Sequence, residues 1–223
     1  MARPPGHGAG YEPRLEEIID RAAVLFAEKG YAATGVNEIG EAVGLGKGAL
    51  YYYIGSKENL LVAIQDRVLQ PLMAQARRIA ALDARPLVRL RLLSEELLTV
   101  ILTRVDHIWV YEHDYRHLTG ANLRRLLDQR REFEELVRGL LKEAIADGSL
   151  RDVDPRLATL EFLNLHNHTY QWAHTANRHW TVRELSSEYC RTLLQGMAKN
   201  TAELDGLDDE ADRLRETLIS EPA

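Results

Sequence analysis

Apolar residues recur along this chain with the period of an α-helix. Leu15, Ile18, Ile19, Ala22 and Phe26 fall at i, i+3, i+4, i+7 and i+11, one stripe, and Gly30 follows where a left-handed cap belongs; together they predict a first helix over residues 12–29. Val36, Ile39 and Val43 mark a helix of two turns closed by Gly44, and a second short one is predicted over residues 47–54. Two short helices joined by the glycine-bearing turn Gly44-Leu45-Gly46 make a helix-turn-helix pattern. Ser56 is the expected N-cap of a long helix reaching about Ala81, with Glu58 in its first turn, Leu60, Leu61 and Ile64 as its apolar face, and Pro71 as the place for a bend.

Five further helices are predicted. Pro86 opens one over 86–104, and another follows over 105–118. A long charged helix over 121–146 ends at Asp147-Gly148. Asp154-Pro155 is an N-cap and first-turn proline for a helix over 155–176, and Thr181 with Glu184 forms a capping box for one over 182–199. No alternating segment reads as a strand. The predicted fold class is all-α, with about nine helices. Leu207, Ala211 and Leu214 leave either a tenth, amphipathic helix or disorder in the tail, and residues 1–11, rich in glycine and proline, read as a disordered arm.

Composition narrows the class. A chain of 223 residues that is 45% hydrophobic and 28% charged is globular, neither collagenous nor disordered. Its charge-free runs, such as Leu97 to Thr103, are too short to cross a bilayer and no signal segment opens it, so a cytoplasmic protein without membrane contact is expected. Cys190, the one cysteine, excludes an internal disulfide and a multi-thiolate metal site. The net charge of −6 argues against a nucleic-acid partner until it is located. Residues 201–223 hold eight acids against Arg213 and Arg215, which accounts for all of it, and the other 200 residues are neutral.

The motifs Gly30-Tyr31-Ala32-Ala33-Thr34, Gly48-Ala49-Leu50-Tyr51-Tyr52-Tyr53 and Ser56-Lys57-Glu58-Asn59-Leu60, with Val36 and Ile39 between, resemble the DNA-binding head of the tetracycline-repressor (TetR) family over residues 12–72. Gly46 stands where a serine commonly caps the recognition helix, and Ile54 where phenylalanine is usual. The resemblance implies a ligand-responsive transcriptional regulator without catalytic activity or cofactor. It further implies a homodimer paired through the last two long helices, a repressor that leaves a palindromic double-stranded DNA operator when an effector binds its body. It divides the chain into the head (12–72), a ligand-binding and dimerisation body (73–200) and the acidic tail (201–223).

The head's own chemistry fits DNA. Between Gly44 and Lys57 stand two lysines and no acid. Lys47 begins the recognition helix, where its charge and the helix N-terminus both favour phosphate, while Gly48 and Ala49 are small enough for close backbone approach. Tyr51, Tyr52 and Tyr53 spread round the helix and cannot all be core. Leu50 and Tyr53 are assigned mainly to packing, with the Tyr53 hydroxyl within reach of phosphate; Tyr52 is assigned to bases or phosphate; and Tyr51, by resemblance, to phosphate. Lys57 is expected as a second backbone anchor, and Thr34 and Gly35 near phosphate at the start of the second helix.

Histidines distinguish the body: His107, His113, His117, His166, His168, His174 and His179. His113 and His117 share a face with Asp114 beside them, and Asn164 and His168 repeat the spacing. With Trp109, Tyr111 and Trp172 they form the candidate effector-binding set. A metal-responsive regulator could use such imidazole pairs, although no third ligand is fixed. Tyr111-Glu112-His113-Asp114, Asp128-Gln129-Arg130-Arg131, Ile145-Ala146-Asp147-Gly148 and Arg151 loosely resemble the bodies of lipid and sterol catabolism repressors, whose effectors are acyl-CoA thioesters. Arg116, Arg124, Arg125, Arg130 and Arg178 are candidates for the phosphates of such a ligand, against hydrophobic drugs or aromatic metabolites as other effectors. No nucleophile elbow, glycine-rich phosphate cradle or paired carboxylate suggests catalysis. A helical interaction protein with a vestigial helix-turn-helix is the remaining non-catalytic reading.

Overall fold

The computed structural model describes residues 10–173 and 180–220, whose regular elements are helical apart from a lone antiparallel bridge between Leu150 and Ala198. His174, Arg178 and His179 lie outside the described residues. The chain folds as two compact units.

The first unit takes the described residues up to Leu69 together with Arg104–Leu126. It holds α1 (Tyr11–Lys29), α2 (Val36–Ala42), α3 (Lys47–Ile54) and the first half of α4 (Lys57–Ala80), followed by α6 (Val105–His113), a 3-10 turn (Tyr115–His117) and the beginning of α7 (Gly120–Ala146). The sequence alone groups residues 104–126 with the body, but α6 packs against α1. Val110, Leu118 and Leu126 join Ile18, Ala22, Phe26, Ile39, Leu50 and Leu61 in one core. Tyr11, expected in the arm, instead opens α1, which starts one residue early.

Local chemistry sets the helix ends. The Ser56 Oγ accepts the Asn59 N–H at 3.0 Å, the expected N-cap of α4, and Pro71 lies inside that helix. Gly30 and Gly44 close α1 and α2 with φ of 83° and 66°. Gly40 carries a constraint the pattern did not show. The Leu45 N–H donates to its carbonyl at 2.8 Å across the helix-turn-helix bend, and a Cβ built on Gly40 would stand 2.5 Å from the Leu45 carbonyl oxygen. Gly40→Ala is therefore expected to destabilise the head by about 1–3 kcal/mol, because backbone rather than a flexible side chain must yield; a thermal melt no lower than wild type would show that the bend accommodates the methyl.

The second unit takes Gln70–Thr103 and the described residues from Leu127 onward. Its axis is α5 (Pro86–Thr103), buried on most of its circumference and packed by α8 (Pro155–Asn167), α9 (Val182–Met197) and α10 (Leu207–Ser220). The Asp154 carboxylate accepts the Arg156 N–H at 2.8 Å, and both halves of the Thr181–Glu184 capping box form, as expected. Two helices are shorter than predicted. α6 ends at His113 rather than Leu118, and α8 ends at Asn167, after which His168–Gln171 tighten into a 3-10 turn. At each end a histidine Nδ1 bonds the carbonyl four residues back, His113 to Trp109 and His168 to Asn164, so the ring folds back over the last turn of its own helix.

The described part of the tail, residues 201–220, is largely helical, and α10 packs against α5. Leu207 and Ala211 are buried against the unit, and the carboxylates meet arginines: Asp208 with Arg91, Glu210 with Arg85, Asp212 with Arg183. Arg91 is fully buried; its Nη1 donates to Glu95 and its Nε to Asp208, at 2.9 and 2.8 Å.

His166 is also fully buried, its Nε2 2.6 Å from the Ser94 hydroxyl and its Nδ1 2.6 Å from the Phe162 carbonyl. Burial pulls its pKa down to about 4, partly offset by the Phe162 carbonyl. An imidazole that must stay neutral in the fold, yet titrates near 6.5 when unfolded, contributes fully above pH 6.5 and loses that contribution as pH falls towards 4. Stability is expected to drop by roughly 3 kcal/mol over that window. In His166→Gln, which can still bond Ser94, urea midpoints at pH 7 and pH 4.5 should lie closer together than in wild type; an equal gap would assign the acid loss to other groups.

Candidate nucleic-acid interface

Helix α3 buries one face and presents the other. Leu50 and Ile54 point into the head core, whereas Lys47, Gly48 and Ala49 are exposed, as are Tyr51 at 38% and Tyr52 at 61%. No acid lies in its first turn, and its N-cap, Gly46, supplies no side chain to the terminal N–H groups. A Cβ added at Gly46 or Gly48 would meet nothing within 4 Å, so packing does not demand glycine there. The exposed surface therefore offers an ammonium, polarised N–H groups, a low backbone profile and phenol hydroxyls, the donor set that phosphates and groove edges require. Tyr53 is half-buried, with its ring stacked on Tyr11 at 4.9 Å.

Several predicted residues are engaged elsewhere. Thr34 is buried, and its hydroxyl donates to the Leu25 and Gly30 carbonyls at 3.3 and 3.0 Å, closing the turn after α1 instead of facing phosphate. Gly35 is exposed as the extended N-cap of α2. Lys57 turns inward: its ammonium donates to the Tyr31 carbonyl and lies 4.2 Å from the centre of the Tyr31 ring. Burial lowers its pKa despite the nearby Asp114 carboxylate.

Asp114 and His117, expected at the effector, belong to the same knot. Buried Asp114 accepts the Tyr31 N–H at 3.1 Å, and the His117 ring stacks on Tyr31 at 5.1 Å. Burial raises the Asp114 pKa, opposed by that N–H and by His117. Both peptide groups of Tyr31 are thus held by side chains, Lys57 from the start of α4 and Asp114 from the end of α6. Glu58 makes a parallel tie, accepting the N–H of Thr119 and the side-chain amide of Asn122, both at 3.1 Å, beside the start of α7. Sequence spacing showed neither tie, since Asp114 and Glu58 each reach a segment some sixty or more residues away.

The other candidate effector residues divide between the units. Trp109, stacked on His113 at 4.1 Å, and Tyr111 lie with Asp114 and His117 in the first; Asn164, His168 and Trp172 lie in the second. Asn164 and His168 are exposed, and the Trp172 ring meets Trp180 edge-on at 5.7 Å. Two hollows of about 450 and 490 Å³ flank α9, and neither is lined by these three residues. Among the described residues no group of three or more histidines, cysteines and carboxylates is placed to hold a metal ion. No described helix is long and apolar enough to cross a membrane.

Comparison with known proteins bears on both parts of the chain. Residues 18–64 match the model for bacterial regulatory proteins of the tetR family, and residues 83–197 match a tetracyclin repressor-like C-terminal domain. The HTH-type transcriptional repressor KstR2 of Rhodococcus jostii is 32% identical over 89% of this chain and 98% of its own. The solved ketosteroid transcriptional regulator KstR2 of Mycobacterium tuberculosis is 25% identical with a TM-score of 0.78, covering 84% of this chain and 96% of that one. AibR, solved in complex with isovaleryl coenzyme A and operator DNA, is 26% identical with a TM-score of 0.72, covering 81% and 98%. An all-α chain that presents α3 from a helix-turn-helix, and matches family models in head and body alike, belongs to the TetR family of DNA-binding transcriptional regulators rather than to any class of enzyme.

Proposed function

We propose that two copies of this chain, paired through α8 and α9, set their α3 helices on successive half-sites of a palindromic operator in the bacterial cytoplasm, and that an acyl-CoA-type effector bound by the helical body releases them. The observation that carries this reading is the exposed face of α3, where Lys47 and Tyr52 stand clear of a core that Leu50 and Ile54 fill. Lys47, Gly48, Ala49, Tyr51 and Tyr52 are the proposed DNA contacts, with Gly35 offering only backbone. Pairing draws support from α8, whose Leu157 and Leu160 are 56% and 49% exposed while Ala158, Thr159 and Phe162 are buried, leaving an apolar strip for a second copy to cover.

Acyl-CoA as effector draws support from AibR, solved with isovaleryl coenzyme A, and from the likeness to KstR2, a ketosteroid regulator. Trp109, Tyr111 and His113 remain the residues proposed to meet the ligand. Asp114 and His117 act instead on the Tyr31 turn. Linkage requires that an effector lowering DNA affinity by some factor is itself bound more weakly, by the same factor, to the DNA complex.

The test is a mobility shift on DNA from upstream of the gene, titrated with isovaleryl-CoA, a steroid-acid CoA thioester, free CoA and zinc. A shift reversed by the thioesters and not by free CoA supports the proposal. Reversal by zinc alone would replace the effector class, and no shift at low salt would remove the operator.

A further inference from the structure

The family match begins at residue 18, and the sequence pattern places Tyr11 in the arm, yet Tyr11 is fastened to the recognition helix. Its hydroxyl donates to the Tyr53 carbonyl at 3.3 Å, one of the carbonyls that the last turn of α3 leaves without a helical partner. Its ring lies nearly parallel to Tyr53, with centroids 4.9 Å apart and planes 18° apart, and meets Tyr52 edge-on at 5.9 Å. Tyr53 meets the same Tyr52 ring edge-on at 5.4 Å. Such offset-parallel and edge-to-face pairs are the preferred aromatic geometries.

We propose that Tyr11 is a positioning residue for operator binding: it braces the Tyr52 ring from outside α3, so that the most exposed phenol of the recognition helix meets DNA already oriented. This rests on the reading of α3 as the DNA-contacting helix. The physical reason is entropic. A tyrosine 61% exposed to solvent would otherwise sample several rotamers, and an interface that has to freeze it loses affinity. Two neighbouring rings restrict that sampling before the duplex arrives. The hydroxyl bond to the Tyr53 carbonyl also ties the start of α1 to the end of α3, which keeps the brace in register.

The probe is duplex DNA enriched from a random-sequence library by the wild-type full chain. Affinities are measured for wild type, Tyr11→Ala, Tyr11→Phe, Tyr52→Ala and the Tyr11→Ala/Tyr52→Ala double variant, with thermal melts alongside. Tyr11→Ala is expected to weaken binding about tenfold, counting both copies. Tyr11→Phe keeps the ring and should stay within about threefold of wild type. In the Tyr52→Ala background the Tyr11 change should cost less than about twofold, because the ring it positions is gone. A merely structural Tyr11 would cost the same tenfold in both backgrounds, and that result overturns the proposal, as does wild-type affinity in Tyr11→Ala. If alanine loosens α1, Tyr11→Leu, which keeps apolar bulk without a planar ring, takes its place in the cycle. Failure of the parent reading looks different: no duplex is enriched, or Tyr52→Ala binds as wild type does, and the inference then falls with it.

Discussion

Alanine at Lys47 is expected to weaken operator binding by about 30-fold near physiological salt and to reduce the slope of log affinity against log salt by about 2. Each phosphate neutralised on B-DNA contributes roughly 0.9 to that slope, and a pair of heads counts the loss twice. Lys47 is suited to the contact because it is exposed at the start of α3, whose first turn holds no acid. Lys57, its nearest cationic neighbour in the sequence, is occupied by the Tyr31 carbonyl. Tyr52→Ala should differ in kind. A side chain that touches base edges or stacks contributes about 1–3 kcal/mol per copy with little counterion release, so affinity falls while the salt slope stays nearly constant. Both side chains lie outside the core; the thermal melt of Lys47→Ala should match wild type, and that of Tyr52→Ala, which also removes two ring contacts, should fall only slightly below it. Fluorescence anisotropy from 50 to 300 mM salt separates the two signatures, and an unchanged slope in Lys47→Ala would take that residue off the phosphate backbone.

The second large effect concerns stability. Asp208→Ala is expected to cost about 2 kcal/mol, read as a lower urea midpoint with an unchanged slope. Arg91 is a fully buried guanidinium whose Nη2 finds no hydrogen-bond partner among the described residues, so its charge depends on Glu95 and Asp208. Burial pushes the Asp208 carboxyl up, but hydrogen bonds from Ser187 and Arg91 more than offset it and hold the group below its ordinary value. Breaking a fully buried pair costs about 3–5 kcal/mol; Asp208 keeps about two-fifths of its side-chain surface in water, so the smaller figure applies. Ending the chain at Asn200 should cost more, since the burial of Leu207 and Ala211 is lost along with the ion pair. Equal midpoints for wild type and the truncated chain would mean that α10 adds nothing to the second unit.

That result would also bear on the net charge. In the sequence the acidic tail is a block of like charge held apart from a neutral chain. In the fold three of its eight carboxylates, Asp208, Glu210 and Asp212, face Arg91, Arg85 and Arg183 within their own unit.

The apolar periodicity by itself determined that this chain is helical, where most of its helices lie and which face of each is buried. A 3.6-residue repeat is a local property, and caps such as Ser56, Asp154 and Thr181 act within three residues of themselves. The exposed Tyr52 of α3 was legible for the same reason: two positions from both Leu50 and Ile54, it falls on the opposite face once those two are inside, whereas Lys47 stands on their side of the helix and is exposed at its first position. Only the tertiary structure decided what Lys57, Thr34, Asp114 and His117 do, because a polar side chain answers to whichever unpaired backbone group lies nearest in space. Lys57 and Asp114 meet the carbonyl and the N–H of one residue, Tyr31, from positions 26 and 83 residues away, and no spacing rule reaches that far. Gly40 and Tyr11 were missed on the same grounds, one for a carbonyl across a bend and the other for a ring on a neighbouring helix.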